Sequence, residues 1–194
     1  GKLVGASSSL IANAMIARLL PKEDVGSYFV VSSIVLYSAI LARFGLRQAI
    51  VRFIADALAR NLAGRAKDVL QAVCWLILIG VMVVAIGYAF FGSWFYDSVF
   101  SISLDPVAIG ILVAWITALA FQTPISETFR ALHDIKLATV FDGALSNFLM
   151  ALALTLIWAI SFRLSLAAAL GIASISVILS VLLGSRAVVL RIRE

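Results

Sequence analysis

The residues of this sequence that could carry chemistry are a few charged and amide side chains inside long apolar runs. Arg43 and Arg47 lie four residues apart near the end of one run, Arg52 follows about a turn later, and Arg18 lies near the end of another. Ionisable groups at membrane depth normally face a bundle interior or a water-filled cavity, because exposure to lipid is costly. A long arginine can instead lay its stem along apolar surface and extend its guanidinium to the interface. The sequence leaves both readings open for these arginines.

The other polar candidates are one acid and three amides. Asp142 begins the fifth apolar run, where an acid in the first turn of a helix is favoured by the helix dipole, and the alternative is a role in ion or proton coupling. Asn147 lies deeper in the same run, Asn13 lies in the first run, and Gln122 ends the fourth. Arg18 is about 140° from Asn13 around a helix, so the two cannot both face one narrow cavity.

Nothing in the sequence indicates catalysis. His133 and Cys74 are the only residues of their types, and no metal-ligand spacing or glycine-rich phosphate loop is present. His133 falls in a polar stretch that we interpret as a solvated cytoplasmic loop, with Glu127, Arg130, Asp134 and Lys136. Cys74 lies within an apolar run and is expected to pack as a small hydrophobic side chain. We therefore expect no enzymatic activity, no metal and no cofactor.

The elements that must position these residues are membrane-spanning helices. Of the 194 residues, 63% are hydrophobic and 13% are charged, against about a quarter charged in soluble proteins, and the mean hydropathy is +1.13. Unbroken runs such as VLQAVCWLILIGVMVVAIGYAFF are long enough to cross a bilayer as a helix and lack the alternation of a membrane β-strand. The sequence thus predicts an all-α bundle of six transmembrane helices. Their expected bounds are 3–20, 26–51, 69–91, 106–123, 139–161 and 164–190.

The basic residues give this bundle a direction. Of the fifteen lysines and arginines, only Arg18, Lys22 and Arg163 fall on one side of the alternating spans. The excess of positive charge marks the cytoplasmic side, so both termini are expected in the cytoplasm. The predicted outer loop, 92–105, has no basic residue and contains the aromatic residues of an interfacial belt, Trp94, Phe95, Tyr96 and Phe100.

Three local patterns add to this picture. Residues 52–67 are basic and are interpreted either as helix extensions at the cytoplasmic interface or as a solvated connector. Small residues at four-residue spacing predict close helix packing, at Gly110, Ala114 and Ala118 and again at Ser176, Ser180 and Gly184. At the outer end of the first span, Pro21 is expected to end the helix and Gly26 to let the chain turn back.

The segment NAMIARLLPKEDVGSYFVVSSIVLYSAILARFGLRQAIVRFIAD carries a family resemblance. It resembles the amino-terminal region of Wzx-type polysaccharide biosynthesis flippases, a branch of the multidrug, oligosaccharidyl-lipid and polysaccharide exporter superfamily. The matching positions are Arg18, Leu19, Leu20, Pro21, Glu23, Asp24, Gly26, Tyr28, Gly45, Leu46 and Arg52. The later stretch ETFRALHDIKLATVFDGALSNFLMALALTLIWAI looks like the family's connection between its fourth and fifth spans.

The resemblance implies a fold and a function. The fold would be two six-helix lobes around a cavity that opens alternately to each side, with residues 1–194 as one lobe and the second lobe in the same polypeptide. The function would be outward flipping of an undecaprenyl-pyrophosphate-linked oligosaccharide across the bacterial cytoplasmic (inner) membrane, for surface polysaccharides such as lipopolysaccharide. The resemblance also implies contact with membrane lipid and with polysaccharide polymerase machinery, and it leaves no role for nucleic acid.

By the same resemblance, particular side chains would contact the substrate. Arginines would bind the pyrophosphate or acidic sugars, and amides would contact the sugar, which makes candidates of Arg18, Arg43, Arg47, Arg52, Asn13, Gln122 and Asn147. On this interpretation, replacing Arg18 by alanine is expected to impair transport. The first alternative is a small-molecule or drug exporter of the same superfamily, or another six-plus-six transporter half, in which Asp142 would be an ion-coupling group. The second alternative is a membrane scaffold subunit that transports nothing.

Overall fold

The computed structural model describes residues 2–59, 63–160 and 164–193, and within these ranges every regular element is a helix. The all-α prediction is therefore confirmed for this part of the chain. Arg60 and Arg163, which entered the charge count, lie outside the described residues. The helices are α1 (Lys2–Leu19), α2 (Lys22–Ala42), α3 (Arg47–Ala59), α4 (Ala63–Phe100), α5 (Pro106–Ala131), α6 (Ile135–Thr139), α7 (Leu145–Ala159) and α8 (Leu166–Arg193), with a π-helical turn, Val140–Ala144, between α6 and α7.

Five stretches of the described residues are long and apolar enough to cross a membrane. They are Lys22–Ala42, Asp68–Phe100, Pro106–Ala131, Ile135–Ala159 and Leu166–Arg191. The predicted number of six is not matched, because α1 is not among them. This helix carries three consecutive serines and Asn13, which lower its hydropathy.

Although α1 is the least apolar of the long helices, it packs along α7 in the same direction. At one end, a Cβ on Gly5 would lie 3.2 Å from the Cβ of Ala144, just before α7 begins. At the other end, the carbonyl of Leu19 accepts a hydrogen bond from the N–H of Leu164, just after α7 has ended, at 3.3 Å. The two helices therefore run side by side for the whole length of α7.

The second predicted span differs from the structure at both ends. α2 begins at Lys22, directly after Pro21, and Glu23 and Asp24 lie in its first turn, where the helix dipole favours acids. Gly26 is helical, so the expectation that it turns the chain is wrong, and the reversal occurs around Pro21. At the inner end α2 stops at Ala42 rather than continuing to residue 51.

The break after α2 is a tight turn of residues 43–46. Phe44 has φ 47° and Gly45 has φ 67°, a left-handed conformation that ends a helix. The following helix, α3, buries Ile50 and Ile54 against the first half of α4. The basic segment predicted at 52–67 therefore belongs in part to a helix that packs on α4 and α5, and residues 60–62 lie outside the described ranges.

Two helices continue further than the sequence predicts. α4 extends to Phe100, so most of the predicted outer loop is helical, and Tyr96 is buried beside the Tyr88 hydroxyl at 3.3 Å. α5 passes through Pro124 and ends at Ala131. Proline is tolerated in membrane helices because neighbouring groups satisfy the freed backbone. Glu127 and Arg130 therefore lie on a helix, and their placement in a solvated loop is wrong.

The small-residue patterns have different outcomes. On α8, Ser176, Ser180 and Gly184 are all buried, and a Cβ on Gly184 would lie 2.8 Å from Ile125. The predicted close packing at this stripe is thus confirmed, and the partner helix at Gly184 is α5. On α5, however, Gly110 and Ala114 are exposed, so the predicted packing of that stripe within this chain is wrong at its outer end.

Candidate functional site

A cavity of about 450 Å³ with a partly polar lining lies between α1 and α2. α1 packs mainly on α7, and α2 packs mainly on α5 and α4, so the two helices stand apart and leave a space between them. The helices α5, α7 and α8 form its back wall. Its polar and aromatic lining consists of Ser9, Asn13, Tyr28, Phe29, Ser32, Arg43, Trp115, Gln122, Thr123, Asp142, Ser146 and Asn147.

Five of the residues predicted from the sequence meet at this cavity. Asn13 reaches it from α1, Gln122 from α5, and Asn147 from α7, while Arg43 and Asp142 lie at its inner end. They come from segments up to 134 residues apart in the chain (13 to 147), which only the folded bundle brings together. Three amides along the wall can donate to and accept from hydroxyl groups, as a carbohydrate requires.

The buried amide of Gln122 is held in place by its neighbours. Its Nε2 donates to the hydroxyl of Ser146 at 3.3 Å, and that hydroxyl donates to the carbonyl of Gly143 at 3.0 Å. Trp115 lies on the same wall, and its indole N–H is buried without an acceptor among the described residues. This wall therefore combines a fixed amide with an unused hydrogen-bond donor.

Arg43 closes the inner end of the cavity. It follows the last residue of α2, and its Nε donates to the carbonyl of Ala39 at 2.9 Å. One terminal nitrogen, Nη1, donates to the hydroxyl of Thr123 on α5. These two hydrogen bonds fix the plane of the guanidinium, and a fixed guanidinium is a specific partner for a phosphate or a carboxylate.

Beside Arg43 lies a cluster of four charged side chains, which we call the charge cluster: Arg47, Glu127, Arg130 and Asp142. Glu127 is only 2% exposed, and its Oε1 accepts from Nε of Arg47 at 2.6 Å and from Nη1 of Arg130 at 2.7 Å. Asp142 accepts from Nη2 of Arg130 at 2.5 Å and lies 3.5 Å from Nη2 of Arg47. The cluster ties α3 and α5 to the π-helical turn, and it borders the cavity through Asp142.

The π-helical turn gives Asp142 its position. Gly143 has φ 118°, a conformation that side-chain-bearing residues rarely adopt, and it kinks the chain between α6 and α7. Phe141 stacks on Phe129 with ring centroids 5.5 Å apart, which anchors the turn to α5. The kink therefore presents Asp142 to the cavity and to the charge cluster at once.

The structure does not bring every predicted residue to the cavity. Arg18 is exposed in the last turn of α1, in line with its angular distance from Asn13 around the helix. Arg52 is exposed on α3 and does not line the cavity either. Arg47 does not line the cavity itself, but it lies 3.5 Å from Asp142, which does.

Sequence reasoning missed Glu127 and Arg130. It ended the fourth span at residue 123, just before Pro124, and took the next polar residues for a loop. Their spacing of three residues, which places an acid and an arginine together on a helix, was the signal that could have found them. Among the described residues, no group of three His, Cys, Asp or Glu side chains could hold a metal ion.

Residues 1–193 match the family model described as polysaccharide biosynthesis protein. The comparison with curated proteins and the comparison with solved structures returned no match.

Proposed function

The chain belongs to the polysaccharide biosynthesis protein family, and on that premise we propose that it flips an undecaprenyl-pyrophosphate-linked oligosaccharide across the bacterial cytoplasmic membrane. Family membership and the five apolar helices make it a multi-pass membrane protein with a transport-related role in polysaccharide biosynthesis. The lipid-linked substrate, the inner membrane and the direction of transport are the proposed part.

The observation that carries the proposal is the chemistry of the cavity. Its wall presents the amides of Asn13, Gln122 and Asn147, which suit the hydroxyl groups of a sugar. Its inner end presents the oriented guanidinium of Arg43, which suits a pyrophosphate. A lipid-linked oligosaccharide needs both kinds of contact in this order, because the pyrophosphate joins the sugar to the lipid. The charge distribution of the sequence supports a cytoplasmic location for the inner end.

The gap between α1 and α2 also suits alternating access. A cavity that opens between two helices of one lobe can be closed by movement of a second lobe, which we propose lies in the same polypeptide. The lipid tail would remain in the bilayer while the polar part crosses through the cavity. We further propose that polysaccharide polymerase machinery receives the product, and that no catalytic step takes place in this protein.

The decisive experiment is genetic deletion followed by measurement of the leaflet in which the lipid-linked oligosaccharide accumulates. We expect it to be trapped on the inner leaflet in a strain without paralogues, and normal outward movement there would refute the proposal. In the complemented strain, Arg43→Ala is expected to lower flipping at least about tenfold, because a charge-assisted pair with the pyrophosphate is lost. Arg186→Ala is the matched control, since Arg186 is an exposed arginine on α8 that does not line the cavity.

A small-molecule exporter of the same superfamily is the second candidate, because Asp142 lines the cavity and an acid in that place could couple transport to an ion. The two candidates predict different cargo. An exporter would leave the lipid-linked oligosaccharide correctly distributed after deletion, whereas cells would accumulate a drug or metabolite. Asp142→Asn would then abolish efflux.

A further inference from the structure

The two acids of the charge cluster hold the same arginines in very different surroundings. Glu127 is 2% exposed and lies behind the guanidinium groups, within the packing of α5. Asp142 is 36% exposed and lies at the border of the cavity, and also of a smaller adjoining cavity of about 280 Å³. One carboxylate is therefore enclosed by protein, and the other can be reached by a solute.

We propose that Asp142 is an exchangeable counterion, which the diphosphate of the substrate displaces from Arg47 and Arg130 while Glu127 keeps both arginines in position. This inference rests on the proposed function. It assigns Arg130 to substrate binding, makes Glu127 a positioning residue, and gives Asp142 the place that the ligand takes. No covalent bond is made or broken, since one anion replaces another on the same hydrogen-bond donors.

The geometry supports exchange at Asp142 rather than at Glu127. A carboxylate and a phosphate both accept paired hydrogen bonds from guanidinium groups, so the sites on Arg47 and Arg130 that bind Asp142 fit either anion. Ion pairs that solvent can reach are weak, whereas breaking a buried pair leaves an uncompensated charge. An incoming anion therefore displaces Asp142 first.

The charges also balance after exchange. Arg43 lines the inner end of the cavity, and Arg130 lines the smaller adjoining cavity. Arg43 is also near enough to feel the charges of Arg47 and Asp142. With Asp142 withdrawn and Glu127 in place, the three arginines keep a net charge of about +2, which matches about one negative charge on each phosphate of a diphosphate diester. Before exchange, Asp142 supplies part of this negative charge from within the protein.

Exchange would also change the mechanics of the bundle. Asp142 is the residue through which the π-helical turn is tied to Arg47 on α3 and Arg130 on α5. Its neighbour Gly143 lies at the kink that leads into α7. Displacement of Asp142 therefore removes the ionic ties of the turn to α3 and α5 when the headgroup binds, while the stack of Phe141 on Phe129 keeps the turn in contact with α5. Binding is thereby linked to a rearrangement of the turn that leads into α7.

Binding of inorganic pyrophosphate to the purified full-length protein tests the proposal. The protein is placed in nanodiscs of phosphatidylcholine, which has no net charge, and affinity is measured by titration calorimetry. Asp142→Asn is expected to bind about two- to fivefold more tightly, because a weak internal competitor is removed. Glu127→Gln is expected to bind at least about tenfold more weakly, because the arginines lose their buried anchor. Asp24→Asn, which removes an acid at the other end of α2, should match the wild type.

Asp142→Asn and Glu127→Gln are expected to change the affinity for pyrophosphate in opposite directions, although both remove one negative charge. If only net charge mattered, both neutral variants would bind pyrophosphate more tightly, and that result would overturn the proposal, as would unchanged affinity in Asp142→Asn. Should Glu127→Gln fail to fold, Glu127→Asp keeps the charge but draws the carboxylate back, and it must show the weaker binding.

The source of the anion is tested in a second set of nanodiscs that contain phosphatidylglycerol. Retained pyrophosphate binding supports the diphosphate as the exchanging group, whereas complete competition by the lipid assigns the site to bulk anionic headgroups and overturns it. Normal flipping in cells together with failure of these binding tests would reject counterion exchange alone. Normal outward movement of the lipid-linked oligosaccharide in the deletion strain would instead reject the proposed function.

Discussion

Replacing Gly80 by alanine tests whether the end of α2, and with it Arg43, is positioned by direct contact with α4. A Cβ on Gly80 would lie 2.1 Å from the carbonyl oxygen of Ala42 and 2.9 Å from its carbonyl carbon. Both are backbone atoms, so no side-chain rotation can relieve the contact. Since non-bonded heavy atoms pack best near about 3.5 Å, α2 must withdraw by about 1 Å or more.

The loss of stability expected in Gly80→Ala follows from comparison with Gly87 on the same helix. Nothing lies within 4 Å of a Cβ at Gly87, so Gly87→Ala gains helix propensity without a clash. The gain is about the same in Gly80→Ala, and the difference between the two variants isolates the packing cost. We expect Gly80→Ala to be less stable than Gly87→Ala by about 1–3 kcal/mol, the usual cost of overpacking.

The assays are thermal unfolding in detergent and flipping in the complemented strain. Because Arg43 directly follows the last residue of α2, the same withdrawal displaces its guanidinium relative to Thr123 on α5. On the proposed function, Gly80→Ala is therefore also expected to flip substrate more slowly at an equal protein level. Equal stability and equal flipping in the two glycine variants would refute the reasoning, because it would mean that α2 and α4 do not touch at this point.

Two further predictions concern the packing around the π-helical turn. Gly184→Ala places a Cβ 2.8 Å from Ile125 and 2.9 Å from Phe141, but these are side-chain atoms that can shift. Thermal unfolding should therefore show that the variant loses only about 1 kcal/mol of stability. Gly171→Ala on the same helix has nothing within 4 Å of the new Cβ and should lose no stability. Asp134→Ala removes the carboxylate that accepts from the N–H of Leu137 and caps α6. This variant should lose about 1 kcal/mol of stability and show faster hydrogen exchange at the Leu137 amide. Asp134→Asn, which keeps an oxygen acceptor, should behave as the wild type. If Asp134→Asn were the less stable of the two variants, the cap would be contradicted.

The sequence predicted the fold class and much of the cavity because both depend on patterns that are local along the chain. Apolar runs and their basic flanks mark membrane helices, and the amides within those runs stand out against their surroundings. Asn13, Gln122 and Asn147 could therefore be selected before their meeting place was known, and the structure brings all three to one cavity.

The ends of the helices were less predictable, because they depend on tertiary contacts and backbone conformation. α2 stops at Ala42 through a left-handed turn at Phe44 and Gly45, a conformation that Phe44 gives no reason to expect. Conversely, Pro124 usually marks a helix end, yet here it lies within α5. That error turned Glu127 from a buried anchor into a supposed loop residue.

The pairing within the charge cluster could not be read from the sequence at all. Arg47 and Glu127 are separated by 80 residues, and their contact depends on how α3 packs against α5. The sequence favoured Asp142 as an acid in the first turn of a helix, and the kink at Gly143 instead aims it at two arginines.

The unbroken length of α4 has a mechanical consequence. Its 38 residues form a rod about 57 Å long, nearly twice the thickness of the hydrocarbon layer, and α2 and α3 pack against successive parts of it. A rod of that length acts as a lever arm, so that a rotation of about 10° at its outer end sweeps the inner end through about 10 Å. Because α2 and α3 both pack against the rod, they would have to follow such a rotation, and Arg43 and Arg47 at their ends would move with them.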